Sequence, residues 1–402
     1  MSDYTVIDTA EGLAEASELL ARGEGPVAVD VERASGYRYS QRAYLIQVFR
    51  RGAGLFMFDP PPIGDFADLQ TAIGDVEWIL HAASQDLPSL RELDLVPEVM
   101  FDTELAARLL GHDRVGLGAV VEDTLGVTLE KAHSASDWSV RPLPQSWLDY
   151  AAKDVEFLPD VRDVLVAELE EQGKTEFARQ EFEAVLARPP KPPREDPWRR
   201  LSGLHTVRGR RNLAVACELW NAREAFAEAE DTSPGRLVPD RALLAAVIAE
   251  PATKQQLAAN KSFIGRASRT QIDRWWAAIE AGRLSTDLPP ERVPSDTLPP
   301  PRAWVDRNPE ADARLKAARP AIEAVAESLN MPTENLLTPE TLRRLAWTPP
   351  GADPAHIDAA DITAALEGLG ARPWQIAHTA QQIAEAFVAS TQTPVEAVPE
   401  GS

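Results

Sequence analysis

The run Val27-Ala-Val-Asp30-Val-Glu32 places two carboxylates two residues apart in a β-branched stretch. On a strand alternate residues share a face, so Asp30 and Glu32 point one way with Ala28 while Val27, Val29 and Val31 point the other. Two like charges on one strand face repel each other and lose hydration if that face is covered. A bound divalent cation removes both penalties, because Mg²⁺ takes oxygen ligands. The competing reading is a solvated outer sheet face. The tripeptide Asp-Val-Glu recurs at 75–77 and 154–156, and only the first copy sits in a clearly alternating strand. Asp86 follows in Trp78-Ile-Leu-His-Ala-Ala-Ser-Gln-Asp86, where an apolar strand runs into a helix. Ligand crevices of open α/β sheets form at such strand ends; an aspartate that only favours the helix dipole is the alternative. His81, in the same stretch, reads as a packed strand residue. In Tyr150-Ala-Ala-Lys-Asp154 the phenol and the carboxylate are four residues apart and share a helix face. Such a pair suits a metal site, with the carboxylate on the cation and the phenol on a water, or is an ordinary helix-surface pair.

The elements that must position these groups are legible as short strands and longer helices. Val27–Arg33, Ala43–Phe49, Leu55–Asp59 and Trp78–Ala83 are β-branched or aromatic runs bounded by turn residues, hence strands. The first three follow one another closely, which suits antiparallel pairing. Leu87–Leu93, Thr103–Leu110 and Ser146–Leu169 have helical spacing. An α/β domain with a mixed sheet results.

Proline marks the divisions: it makes up 33 of 402 residues, against a usual ~5%, and is densest in Arg188–Pro197 and Leu284–Arg302. Proline fixes φ and lacks an N–H, so both stretches read as extended linkers. They separate residues 1–187 from two helical units, 198–283 and 303–388, with a disordered tail at 389–402. The helical units resemble each other. Arg236-Leu-Val-Pro-Asp-Arg-Ala-Leu-Leu aligns with Asn335-Leu-Leu-Thr-Pro-Glu-Thr-Leu-Arg, and each follows an amphipathic helix, Leu213–Glu230 and Ala313–Leu329.

The net charge of −22 argues against coating nucleic acid through a basic surface, but leaves room for a local grip through bound cations. Residues 195–283 carry 14 Arg or Lys against 11 Asp or Glu, so this unit alone is positive. Arg199, Arg200, Arg208, Arg210, Arg211, Lys261, Arg266 and Arg269 are its candidate nucleic-acid contacts. A single cysteine, Cys217, excludes an intrachain disulfide and a cysteine-based metal site. No apolar run approaches a membrane span, and the N-terminus has no secretory pattern, so a cytoplasmic protein is expected, with no membrane and no obligate protein partner.

In the order Asp-x-Glu, Asp, Tyr-x-x-x-Asp, the acids and the tyrosine resemble the DEDD exonuclease superfamily, in the branch whose third motif carries tyrosine. Ala43-Tyr-Leu-Ile-Gln-Val follows the first motif as the family's second strand does. His133-Ser-Ala-Ser-Asp-Trp-Ser-Val-Arg-Pro-Leu precedes the third and resembles the ribonuclease D version of that region. His133 and Asp137 are four residues apart, whereas the sister branch places its histidine five before the aspartate, so the tyrosine reading is preferred. The helical units resemble HRDC domains, which ribonuclease D shares with RecQ-type helicases. The chain thus resembles the ribonuclease D family along nearly its whole length.

That resemblance implies an α/β ribonuclease H-like exonuclease domain with a mixed sheet, followed by two all-α HRDC-like helical domains. It implies that Asp30, Glu32, Asp86 and Asp154 hold two divalent cations, Mg²⁺ or Mn²⁺, that Tyr150 orients the attacking water, and that RNA is shortened from its 3′ end to nucleoside 5′-monophosphates. Structured RNA such as precursor tRNA is the implied substrate. Lys131 and Arg141 are candidate phosphate contacts, with ion pairing at the core edge as the alternative. A DNA-directed 3′–5′ exonuclease and a non-catalytic nucleic-acid-binding scaffold are the competing functions. The first is weakened by the absence of a G-x-x-x-x-G-K-[ST] loop, the second by the intact set of five site residues.

Overall fold

The β-branched run at residues 24–33 becomes the central strand of a six-stranded mixed sheet. The structure, a computed structural model, describes residues 4–129, 136–293, 297–351 and 356–392. The strands are β1 (Tyr4–Ile7), β2 (Glu24–Arg33), β3 (Ala43–Arg51), β4 (Gly54–Phe58), β5 (Glu77–Leu80) and β6 (Val99–Asp102), in the order β1-β4-β3-β2-β5-β6. β2, β3 and β4 pair antiparallel, as their close spacing requires, while β1 lies parallel to β4, and β5 parallel to both β2 and β6. The β3–β4 hairpin turns through Gly52 and Gly54, both with positive φ, which glycine adopts without a Cβ clash.

Both faces of the sheet are covered. Val27, Val29, Val31, Ile46 and Val48 pack against the helices Ala10–Ala21 and Leu158–Glu171, through residues such as Leu13, Leu20, Val161 and Leu165. On the other face Ala28, Leu45, Met57 and Ile79 meet Leu148, Ala151, Ala152 and Val155 of the helix Gln145–Glu156. The acid-bearing face of β2 is therefore not a solvated outer face.

Three expected elements differ in extent. The strand from Trp78 stops at Leu80, because the carboxylate of Asp102 takes the N–H groups of Ala82 and Ala83 and Ala82 turns into the left-handed region at φ 60°. The helix expected over Ser146–Leu169 is two helices, Gln145–Glu156 and Leu158–Glu171. Pro159 has no N–H to continue the first and suits the opening turn of the second. The helix from Leu87 ends at Arg91 instead of Leu93. Edge strands β1 and β6 have four residues each, too short to show a period.

The two helical units join the first part differently. Helices Arg210–Ala229 and Ile272–Leu284 form the centre of a separate core, where a Cβ on Gly282 would lie 2.5 Å from Val215 Cα. This unit touches the β2–β3 connection: Asp231 accepts from the Ser40 N–H at 3.0 Å and from the Tyr44 hydroxyl at 3.2 Å, and the Arg236 guanidinium stacks 3.8 Å over the Tyr37 ring. The unit from Trp304 to Phe387 instead shares one continuous core with the sheet domain. Phe177 and Trp374 stack at 4.5 Å, Arg372 forms a two-pronged ion pair with Glu181, and the Lys174 ammonium donates to the carbonyls of Leu109 and Asn330. Its last helix, Pro373–Gln392, takes in the first four residues of the expected disordered tail; residues 393–402 lie outside the described residues.

Replacing Trp374 by alanine should cost about 3–5 kcal/mol, as for large core aromatics, and lower the unfolding midpoint of the exonuclease part along with that of the last helical unit. Thermal unfolding followed by calorimetry checks this; loss of one minor transition with the main one unmoved would show that the two cores are energetically separate.

Candidate functional site

Asp30 and Glu32 sit on β2 opposite Gln47 and Leu45 of β3, on the face under the helix Gln145–Glu156. That helix turns Ala151, Ala152 and Val155 to the sheet, and the small alanines let it lie close. Tyr150 and Asp154, one turn apart, flank this apolar stripe and reach the β2 acids. Carboxylate oxygens of Asp30, Glu32 and Asp154 lie within 4.8 Å of one another. The Tyr150 hydroxyl hydrogen-bonds to Asp154.

Asp86 arrives by a different route. The turn held by Asp102 redirects the chain after β5 into a short 3₁₀ turn, Ala83–Gln85, and then the helix Leu87–Arg91, with Asp86 at the junction. Its side chain does not cap that helix. It lies 3.5 Å from the Arg33 guanidinium and lines the same cleft, of about 1200 Å³, as the other three acids, Tyr150 and His81. Residues Arg114–Ala119 also line this cleft.

Burial and mutual repulsion dominate the electrostatics. Desolvation, then the charges of Asp30, Asp154 and Asp86, pushes Glu32 up to about 10. Asp154 is raised by burial and then by Asp30, and Asp86 is raised well above the usual carboxylate range by burial and Asp30, against the opposing pull of Arg33. Asp30 is raised by burial, opposed by the Val31 backbone hydrogen bond and Arg33. Burial, followed by the neighbouring acids, also raises Tyr150, which therefore stays a phenol. Burial and mutual repulsion thus oppose ionising these carboxyls together unless a cation offsets their charge. An oxygen-only donor set of this kind fits Mg²⁺ or Mn²⁺, with Asp30, Glu32, Asp86 and Asp154 as the available ligands.

Other candidates fall elsewhere. His81 lies beyond the end of β5, not within it; its Nδ1 contacts the Thr103 hydroxyl at 2.9 Å, and burial lowers it to about 4, so it is neutral. Of the two roles open to Arg141, the structure shows the ion pair. Its guanidinium donates to both Asp59 oxygens at 2.6 Å and to the carbonyls of Tyr44, Trp138 and Val140, and Arg141 is not among the residues lining the cleft. Lys131 and His133 lie outside the described residues. In the basic unit, Arg199, Arg208, Arg210, Arg211 and Arg269 donate to backbone carbonyls, those of Arg199 and Arg210 belonging to the proline-rich segment at 288–290. These arginines tie internal turns and the segment at 288–290 to the unit, although their charge persists. Two contributors were not singled out from sequence: Arg33, whose only signal is adjacency to Glu32, and Asp102, whose signal is a strand-end aspartate before the helix Thr103–Leu110.

Residues 4–170 match the family described as 3′-5′ exonuclease, residues 212–279 the HRDC domain, and residues 297–387 the 3′ to 5′ exonuclease C-terminal domain. The HRDC description thus reaches the first helical unit, and the second carries one of its own. A ribonuclease D from Granulibacter bethesdensis is 31% identical over 359 residues, covering 85% of this chain and 86% of that protein. The chain belongs to the ribonuclease D family. A ribonuclease D from Escherichia coli K12 is 28% identical over 85% of this chain and 90% of its own length. Among solved structures, a protein from Bifidobacterium adolescentis superposes with a TM-score of 0.88 at 34% identity, covering 96% of this chain and all of that one. E. coli RNase D, described as an exoribonuclease involved in structured RNA processing, superposes with a TM-score of 0.65 at 26% identity, over 87% of this chain and 92% of that one. The chain is a 3′–5′ exoribonuclease, and its exonuclease fold implies the use of divalent metal. Among the described residues no helix is long and apolar enough to cross a membrane.

The raised carboxyls give the metal-free enzyme a definite pH response. Unfolded Glu32 loses its proton near its ordinary 4.5 while the folded group holds it to about 10. Its contribution is thus fully present at low pH and is lost as pH rises through that window. In chelator, the melting temperature of Glu32→Gln should exceed that of wild type by a margin that widens from pH 5 to pH 9. Parallel melting curves across that range would show that Glu32 is not held protonated.

Proposed function

We propose that Asp30, Glu32, Asp86 and Asp154 hold two divalent cations, Mg²⁺ or Mn²⁺, and that with Tyr150 they remove nucleotides one at a time from the 3′ end of structured RNA, such as the trailer of precursor tRNA, in the cytoplasm. One observation carries this reading: three carboxylates whose oxygens approach within 4.8 Å, Glu32 buried and Asp30 and Asp154 half-buried. Such a cluster is unstable as three anions and useless to a nuclease as three neutral acids.

When bound, a pair of cations supplies the Lewis acidity that activates a water and stabilises the leaving 3′ oxygen. The residues of this chain do the rest. Tyr150, kept as a phenol and tied to Asp154, is placed to fix the attacking water by hydrogen bonding. The water oxygen joins phosphorus as the bond from phosphorus to the 3′ oxygen breaks. The phosphate therefore leaves with the terminal nucleotide as a 5′-monophosphate, and the shortened RNA regains a 3′ hydroxyl. Arg33, at the edge of the acids, limits their repulsion with a fixed positive charge. The cleft, of about 1200 Å³, is large enough to take a polymer end. The structured-RNA reading is supported by the description of the E. coli relative and by the helical unit docked beside the β2–β3 connection.

Asp30→Asn should lower metal-dependent release of nucleoside 5′-monophosphate from 5′-labelled RNA by roughly 10²–10³-fold or more, the scale for losing a key electrostatic group, with an unchanged circular dichroism spectrum. Tyr150→Phe should slow hydrolysis by about 10²-fold, the lower end of the range for positioned proton-transfer groups, while keeping Mn²⁺ affinity. Unchanged release in Asp30→Asn, or loss of Mn²⁺ binding in Tyr150→Phe, contradicts the assigned roles.

A further inference from the structure

Gln47 lies in the middle of β3 with no solvent exposure, and neither its amide nitrogen nor its amide oxygen has a hydrogen-bond partner among the described residues. A buried amide left unpaired opposes folding, and an apolar side chain of the same length would fill the position without that cost. The neighbours identify what the amide is for. In the antiparallel ladder Gln47 stands directly opposite Asp30, and on its other side opposite Met57. Directly opposed residues point to the same face, with Cβ atoms ~4.5–5.5 Å apart, within the reach of a glutamine and an aspartate. Along β3 the residues two away, Leu45 and Phe49, are apolar, and the helix above presents Leu148, Ala151, Ala152 and Val155. Asp30 is the polar residue directly opposite Gln47, and Glu32, two residues along β2 on the same face, is the diagonal one.

We propose that Gln47 is a positioning residue for the metal site: when the Asp30 carboxylate is ionised around a cation, the Gln47 amide donates to its remaining oxygen and fixes its orientation. Outer-shell partners of metal-binding carboxylates act in this way. The inference rests on the reading of Asp30 as a metal ligand. It adds a residue that lies outside the cleft lining, touches no substrate, and acts only through Asp30. It also explains why the position is polar: the amide nitrogen, unpaired in the metal-free protein, gains an acceptor in the loaded protein.

The test compares the full chain with Gln47→Met, and with Gln47→Leu as a second apolar variant in case one does not fold. Mn²⁺ binding is titrated directly by electron paramagnetic resonance, melting is measured in chelator, and RNA hydrolysis is followed against Mn²⁺ concentration. The metal-free variants should melt at least as high as wild type, because an unpaired amide has been removed. Their Mn²⁺ dissociation constants should rise by roughly 10–100-fold, the scale for outer-shell losses. Half-saturating Mn²⁺ for hydrolysis should rise in parallel, with kcat at saturating Mn²⁺ and KM for RNA close to wild type. Wild-type Mn²⁺ affinity in the variants, especially with lowered melting in chelator, would assign Gln47 to the fold alone, through a partner such as buried water. Failure of the wild-type chain itself to bind Mn²⁺ would overturn the ligand assignment of Asp30 and this inference with it, a result distinct from the first.

Discussion

The structure is organised around a repulsion. Three carboxylates with oxygens inside 4.8 Å would, if all ionised, repel by about 3–4 kcal/mol per pair at an effective dielectric of ~20. Summed over three pairs, that is comparable with the entire stability of a typical domain, ~5–15 kcal/mol. The desolvation that raises Glu32 and Asp154 adds to it. A fold that tolerates this arrangement must either keep the acids protonated or give them a cation. On the proposed assignment the same acids carry the chemistry and set the conditions under which the chain is stable.

The surrounding elements hold the groups in place against that repulsion. The helix Gln145–Glu156 approaches the sheet closely because its inward residues include Ala151 and Ala152, and this closeness is what brings Asp154 to Asp30. Asp102, nearly fully buried, satisfies the N–H groups of Ala82 and Ala83 and caps the helix Thr103–Leu110, so one side chain shapes the turn that delivers Asp86. The segment leaving the site after Arg33 is clasped by Asp231 and Arg236 of the HRDC unit. The last helical unit is fused to the back of the exonuclease domain through Trp374 and Arg372. The chain thus ties both helical units to the catalytic domain at points of known chemistry, not only through proline-rich linkers.

Much of this was legible in the residues. The alternation of Val27–Glu32 predicts the faces of β2 correctly, and the four-residue step from Tyr150 to Asp154 predicts their shared side, because both follow from backbone geometry alone. The family resemblance joined the separate motifs and is matched by the comparisons. What the sequence did not show depends on distant partners. The strand from Trp78 ends early because Asp102, twenty residues away, captures its N–H groups. Arg141 is drawn to Asp59 across 82 positions. The shared core of the last helical unit follows from Phe177 meeting Trp374, which no local period reveals. Gln47 reads as one polar letter in an apolar strand, and its isolation becomes visible only when its neighbours are in place.

The most direct test of the central claim is anomalous diffraction from crystals soaked in Mn²⁺. The account predicts two manganese peaks enclosed by Asp30, Glu32, Asp86 and Asp154, with Tyr150 beside them. Peaks confined to other surfaces, or carboxylates of these four residues turned away from any bound ion, would contradict it.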